Sequence, residues 1–171
     1  LNTLQVNVPK FLFPSSERIQ KGDNNVILER IDLLNNIISR KKSCIISYPK
    51  ALCEQIIPKS EFQKQKIEIK IGEQINVEQL LDKLSQLNFN NTNFVMEPGD
   101  FSIRGFIIDI FSYSNEYPCR ILLDDNIIEE ISFFEAENQV SFKNLDSISI
   151  ISNIENNIEN TKKTNFFSYL P

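Results

Sequence analysis

The chain has no histidine and no tryptophan among its 171 residues, and only four glycines and three cysteines. Without an imidazole, neither a Ser-His-Asp triad nor a Cys-His pair can be assembled. The glycines stand apart at positions 22, 72, 99 and 105, which rules out a GxxxxGK[ST] loop to cradle phosphates. Cys44, Cys53 and Cys119 are odd in number, lack CxxC spacing and lie in apolar sequence. They are expected to pack as small hydrophobes, with no disulfide, zinc site or other cofactor in this chain.

Positive charge is scarce as well. Lys and Arg number 18 against 23 Asp and Glu, a net charge of −5, and cations cluster only at Arg40-Lys41-Lys42 and Lys162-Lys163. Gripping a nucleic-acid backbone needs many cations to neutralise phosphates, so this chain is not expected to hold DNA alone. No apolar run is long enough to span a bilayer, and the N-terminus lacks a signal-peptide pattern, which predicts a cytoplasmic protein without a membrane partner. What is present is a globular balance, 41% apolar and 24% charged residues, with thirteen phenylalanines as bulky core material. The length suits one domain, or one small domain with parts of a neighbour. A start at Leu1 in place of Met predicts a fragment of a longer protein.

Two styles of periodicity divide the chain. Phe11-Leu12-Phe13 and Cys44 to Tyr48 are short buried-strand candidates, each stopped by a proline. Between them Ile27, Ile31, Leu34 and Ile38 fall on one helical face, with Asp23 or Asn24 available as cap. A brief helix is expected from Lys50 to Ile57. Strand, helix, strand, helix in this order predicts a parallel α/β layer. After Pro58 the pattern becomes strand-rich. Ile67, Ile69 and Ile71 alternate with polar residues, and Asn76 can cap a helix striped by Val77, Leu80, Leu81, Leu84 and Leu87 and closed by Asn88. Strands are expected through Phe94–Met96 and Phe101–Phe111, with a bulge or tight bend at Gly105, where the apolar parity shifts. Arg120 to Leu123 and Ile127 to Phe133 predict a hairpin across Asp124-Asp125-Asn126, and Ser147 to Ile151 a last strand. The apolar tail Phe166 to Pro171 is expected to pack on parts of a longer parent.

No catalytic constellation emerges. The carboxylates at Asp124-Asp125, Glu129-Glu130 and Glu135 to Glu137 suit solvated hairpin faces. Asp109, flanked by Ile108 and Ile110, is expected to form a structural salt bridge with Arg104 or Arg120. Arg104 is the best functional candidate: it either ion-pairs with Asp109 or offers a planar, permanently charged donor to an acidic partner.

The stretch VMEPGDFSIRGFIIDIF, Val95 to Phe111, carries a specific resemblance. Glu97, Pro98, Gly99, Asp100, Phe101, Ile103, Arg104, Gly105, Ile107, Ile108, Asp109, Ile110 and Phe111 fit a run shared by the excision-repair protein UvrB and the bacterial transcription-repair coupling factors (Mfd). Phe11 to Ser16, Ser47 to Leu52, Lys70 to Gly72 and Asp146 to Asn153 extend the likeness, which is closer to the coupling factors' N-terminal UvrB-like module. UvrB's tyrosine-rich hairpin has no counterpart here.

The resemblance implies an α+β fold: a small mixed, mainly antiparallel sheet domain with a helix, flanked by part of an α/β P-loop-like domain that lacks its phosphate loop. Residues 1–57 would be the end of a degenerate ATPase-like first domain, 58–151 the second domain, and 152–171 a return toward the first. It implies a non-catalytic module docking UvrA, within a parent that displaces RNA polymerase stalled at DNA lesions and recruits nucleotide excision repair. The alternative is a fragment of a UvrB-type helicase-like protein touching damaged DNA. ATP and Mg, RNA polymerase and double-stranded DNA would belong to the parent's downstream motor, a helicase-like ATP hydrolase. Arg104 matches the arginine of the family's Arg-Gly pair on the UvrA-contacting surface. Asn90 stands where many relatives carry arginine, and Ser102 where UvrB commonly has another. Phe106 replaces a small residue, and Asp124-Asp125-Asn126 an aromatic-Gly-Asp turn. These departures thin the positive character of that surface.

Overall fold

The computed structural model describes residues 8–19, 24–155 and 163–170. They form an α+β protein that divides into two units, residues 1–62 with 154–171 and residues 63–153.

In the first unit β1 (Lys10–Phe13) and β2 (Cys44–Ser47) pair in parallel, and α1 (Asn25–Ile38) connects them. The helix lays Ile27, Ile31 and Leu34 inward, as the spacing predicts, and buries Val26, Leu33 and Ile37 beside them. Asn24 occupies the cap position with helical dihedrals and makes no side-chain cap, while Asp23 lies outside the described residues. The helix expected from Lys50 to Ile57 is a single turn, α2 (Pro49–Leu52). Gln55–Ile56 instead form β3, antiparallel to β12 (Thr164–Asn165), a pairing between distant segments that no local pattern announces. The tail packs in part on this unit. The Phe166 ring lies 4.6 Å from that of Phe13, tilted by 37°, and the Tyr169 hydroxyl donates to the Ile57 carbonyl at 2.8 Å. Phe167 and Leu170 stay exposed.

Arg30 of α1 holds this unit together from inside. It is fully buried, with its guanidinium 4.4 Å over the Phe13 ring. Nη1 donates to the Pro14 carbonyl at 2.6 Å and to Glu54 Oε2 at 2.9 Å, and Nε donates to Glu155 Oε1 at 2.7 Å. Glu54 also accepts from the Ser15 hydroxyl and from the Ser16 N–H at 3.0 Å. One cation thus ties the end of β1, the turn after α2 and the returning chain together.

A short helix, α3 (Lys59–Lys64), precedes β4 (Lys66–Lys70), which pairs antiparallel with β11 (Ser147–Ile151). In the second unit α4 (Val77–Gln86) is capped by Asn76, whose Oδ1 accepts from the Gln79 N–H at 3.0 Å. It ends at Asn88, which takes the left-handed φ of 59° that closes helices. The large sheet runs β10-β9-β8-β7-β6-β5: Ser141–Leu145, Ile127–Phe134, Cys119–Asp124, Ile107–Ile110, Asp100–Arg104 and Asn90–Asn91. All neighbours are antiparallel except β5 and β6. Leu80, Leu84 and Leu87 join Phe101, Ile108, Ile110, Ile121 and Ile131 in the core. Truncating a fully enclosed member such as Leu84 to Ala is worth about 2–5 kcal/mol.

Two expectations fail here. Phe94–Met96 is no strand: Phe94 and Met96 are exposed, while Val95 turns inward against Phe111 and Phe134. Residues Phe101–Phe111 are not one bent strand but a hairpin, β6 and β7 joined through Gly105-Phe106. Gly105 has φ +61°, and a Cβ there would meet nothing within 4 Å, so the backbone conformation alone favours glycine.

Candidate docking surface

Alternation along a strand sends every second side chain to one face, and cross-strand register decides which of them meet. On β6 to β9 the register lines up Ser102, Asp109, Arg120 and Ser132 in one row. All four face away from the core formed with α4. A second row, nearer the Gly105 turn, runs Arg104, Ile107, Leu122 and Glu130. The inner row is mostly buried, whereas Arg104 is exposed and Ile107, Leu122 and Glu130 are half-buried.

Asp109 of the inner row centres an ionic triad that spans both rows. Asp109 is wholly buried, and such a charge needs partners of good geometry. Arg120 lies directly opposite and supplies two bonds, Nε to Oδ1 at 2.8 Å and Nη2 to Oδ2 at 2.9 Å. Those bonds hold the Arg120 guanidinium above its ordinary pKa. Its plane rests 4.6 Å from the Phe134 ring centre, and Nη1 donates to the Gln139 carbonyl at 3.0 Å. Arg104 reaches the same carboxylate from the outer row, Nη2 to Oδ2 at 2.5 Å. The expected salt bridge therefore involves both arginines. Two cations and one anion leave the triad with one net positive charge.

A loop over the sheet completes the site. The Asn93 carbonyl accepts from Arg104 Nη1 at 3.1 Å and from the Ser102 hydroxyl at 3.3 Å. Phe94 lies beneath the Arg104 guanidinium, 5.6 Å from it, with its ring largely open to solvent. Asp100 anchors the loop by accepting the N–H groups of Met96 and Glu97 at 3.2 and 3.1 Å. Gly99 is needed there for space as well as for its φ of +99°, because a Cβ would come within 2.7 Å of the Tyr113 hydroxyl.

The three residues singled out by resemblance are placed differently. The Arg104 side chain is 39% exposed and can meet a partner. Ser102 is buried beneath the Asn93 carbonyl and presents nothing outward. Asn90 is exposed and pairs with Asp100, four residues from Arg104 on β6, which is about 13 Å at the usual strand rise. Sequence reasoning missed Phe94, Ile107 and Leu122 as companions of Arg104. A two-residue hairpin at Gly105-Phe106 would have revealed Ile107, which it puts opposite Arg104, whereas Leu122 enters only through the β7–β8 register. Among the described residues no cluster of His, Cys, Asp or Glu could hold a metal ion, and no helix is long and apolar enough to cross a membrane.

This sheet and its loop coincide with a known family. The model described as the UvrB interaction domain matches residues 67–155. The chain belongs to the UvrB interaction domain family. Relatives of that kind include the transcription-repair-coupling factor of Bacillus subtilis (strain 168), 30% identical over 143 residues, covering 81% of this chain. The corresponding factor of Staphylococcus aureus (strain MRSA252) is 33% identical over 135 residues, 79% of this chain. The chain spans 12% of the length of either relative. The matched residues of the UvrB interaction domain include the Asp109 triad, the Asn93 loop and both rows of the open sheet face.

Proposed function

We propose that this chain is the UvrA-docking module of a transcription-repair coupling factor and breaks no bonds itself. The reading is supported most by one observation: within the UvrB interaction domain, Arg104 carries net positive charge at the surface, flanked by Phe94 and by half-buried Ile107 and Leu122. Such a surface suits a partner carboxylate with an apolar neighbour. Ser102 acts from below by fixing the Asn93 loop, and Asn90 sits at the margin. Residues 58–151 are the docking domain, 1–57 the end of a degenerate ATPase-like domain, and 152–171 the return to it. The parent would be a cytoplasmic ATP- and Mg-dependent DNA translocase that acts on stalled RNA polymerase.

Purified UvrA titrated with the chain tests this. Wild-type binding is expected, with Arg104→Ala weakening it by about 1–3 kcal/mol, the loss usual for an interface anchor. Full-strength binding by that variant would remove Arg104 from the surface, and no binding by the wild type would end the docking reading. The second reading, direct contact with damaged DNA, has the net charge of −5 against it.

A further inference from the structure

We propose that Arg120 is the resident counter-ion of Asp109, so that Arg104, which shares that carboxylate through a single bond, can turn its part-exposed charge to a carboxylate of the docking partner. Arg120 is thereby a positioning residue for an interface it need not touch. The inference rests on the docking reading and deepens it.

The two arginines hold Asp109 in unequal ways. Arg120 sits in register with it and gives both carboxylate oxygens a bond. Its remaining contacts, the Phe134 ring and the Gln139 carbonyl, fix the guanidinium from other sides, and its side chain is only 17% exposed. Arg104 gives one bond to one oxygen and is anchored otherwise only by the Asn93 carbonyl and the face of an exposed phenylalanine. It stands beside the turn residue Gly105, at the border of the sheet.

A fully buried carboxylate requires a cation at close range. With Arg120 present that requirement is met without Arg104, whose charge then remains available to solvent and partner. Without Arg120, Arg104 would become the only cation on Asp109 and would be drawn into the sheet. The bond that Arg104 makes to Oδ2 in the free protein then serves to hold its guanidinium in one orientation before a partner arrives, which lowers the ordering cost of binding.

The test measures UvrA affinity for the wild-type chain, Arg104→Ala, Arg120→Gln, their double variant, and Asp109→Asn combined with Arg120→Gln. Arg120→Gln is expected to weaken binding about tenfold, and to add nothing once Arg104 is gone, because its effect passes through Arg104. Removing Asp109 and Arg120 together is expected to bring affinity back to within about threefold of wild type. Undiminished binding by Arg120→Gln, or an equal loss in the Arg104→Ala background, overturns the proposal. A second readout needs no partner: arginine side-chain NMR follows rotation of the Arg104 guanidinium. Rotation should slow in Arg120→Gln and quicken in the Asp109→Asn, Arg120→Gln variant. An unchanged rate in either overturns the charge assignment even if UvrA binds. Failure of the wild type to bind UvrA, with the NMR pattern as expected, overturns the docking reading alone. Should Arg120→Gln not fold, the Asp109→Asn, Arg120→Gln variant decides by the same rate.

Discussion

The two units each bury a charge between two partners of opposite sign, and they do so with the signs reversed. In the first, Arg30 lies between Glu54 and Glu155 and faces inward on every side. In the second, Asp109 lies between Arg120 and Arg104, and one of those arginines opens to solvent. The first arrangement carries a surplus anion locked by Ser15, Ser16 and the surrounding chain, and its work is to join three segments. The second carries a surplus cation on a side chain that can reach outward. A buried ion network can thus serve cohesion or recognition, and what separates the two is whether its last member has anywhere to go.

The largest effect should come from the inward centre. Arg30→Met is expected to destabilise the first unit by about 3–5 kcal/mol, since two part-buried carboxylates lose their shared cation. Hydrogen exchange of the α1 amides measures this, and unchanged protection would show that the cohesion lies elsewhere. Asp109→Ala should cost less, about 2–3 kcal/mol, because the released Arg104 can swing into water while only Arg120 stays confined. Urea unfolding of the β6 to β9 amides would check it; a loss as large as that for Arg30 would erase the distinction drawn between the centres.

Acid should act on the first centre through Glu54. Burial raises the pKa of Glu54, but hydrogen bonds from the Ser15 hydroxyl and the Ser16 N–H, together with Arg30, outweigh it and hold the group below its ordinary 4.5. The folded form therefore binds fewer protons than the unfolded chain. That contribution is complete above 4.5 and is lost as pH falls through the lowered value. The first unit should weaken on acidification, and Glu54→Gln should flatten the slope in a pH series of unfolding midpoints. A slope that survives the substitution assigns it to other groups. The smallest effect concerns the turn that presents Arg104. Gly105→Ala faces open space and only a left-handed backbone, so about 1 kcal/mol is expected. A thermal melt with a clearly larger shift would mean that the turn is more constrained than its surroundings indicate.

Much of the second unit could be read residue by residue. The stripe of Leu80, Leu84 and Leu87 with its Asn76 cap and Asn88 exit, and the strand Ser147–Ile151, depend on neighbours a few positions away. The salt bridge of Asp109 was legible too, because a carboxylate set among isoleucines needs a cation nearby. By contrast β10, Ser141–Leu145, is almost wholly exposed and shows no apolar alternation, so it left no signature. Phe94–Met96 looked like a strand because loop residues that cover a sheet can be as apolar as the sheet itself. The resemblance puts Ser102 on the UvrA-contacting surface with Arg104 and Asn90, and nothing local says that the Asn93 carbonyl folds over it.

Composition and spacing were enough to exclude histidine chemistry and phosphate-loop binding, to mark α4, and to single out Arg104 and Asp109. These are properties of short stretches, governed by periodicities and residue types that act within a few positions. That both arginines reach the buried carboxylate, and that one of them stays part-exposed, was fixed when four strands came into register and a loop closed over them. Register is a cooperative outcome of ladder hydrogen bonds and burial between distant segments, and one residue of slip would send every side chain to the opposite face.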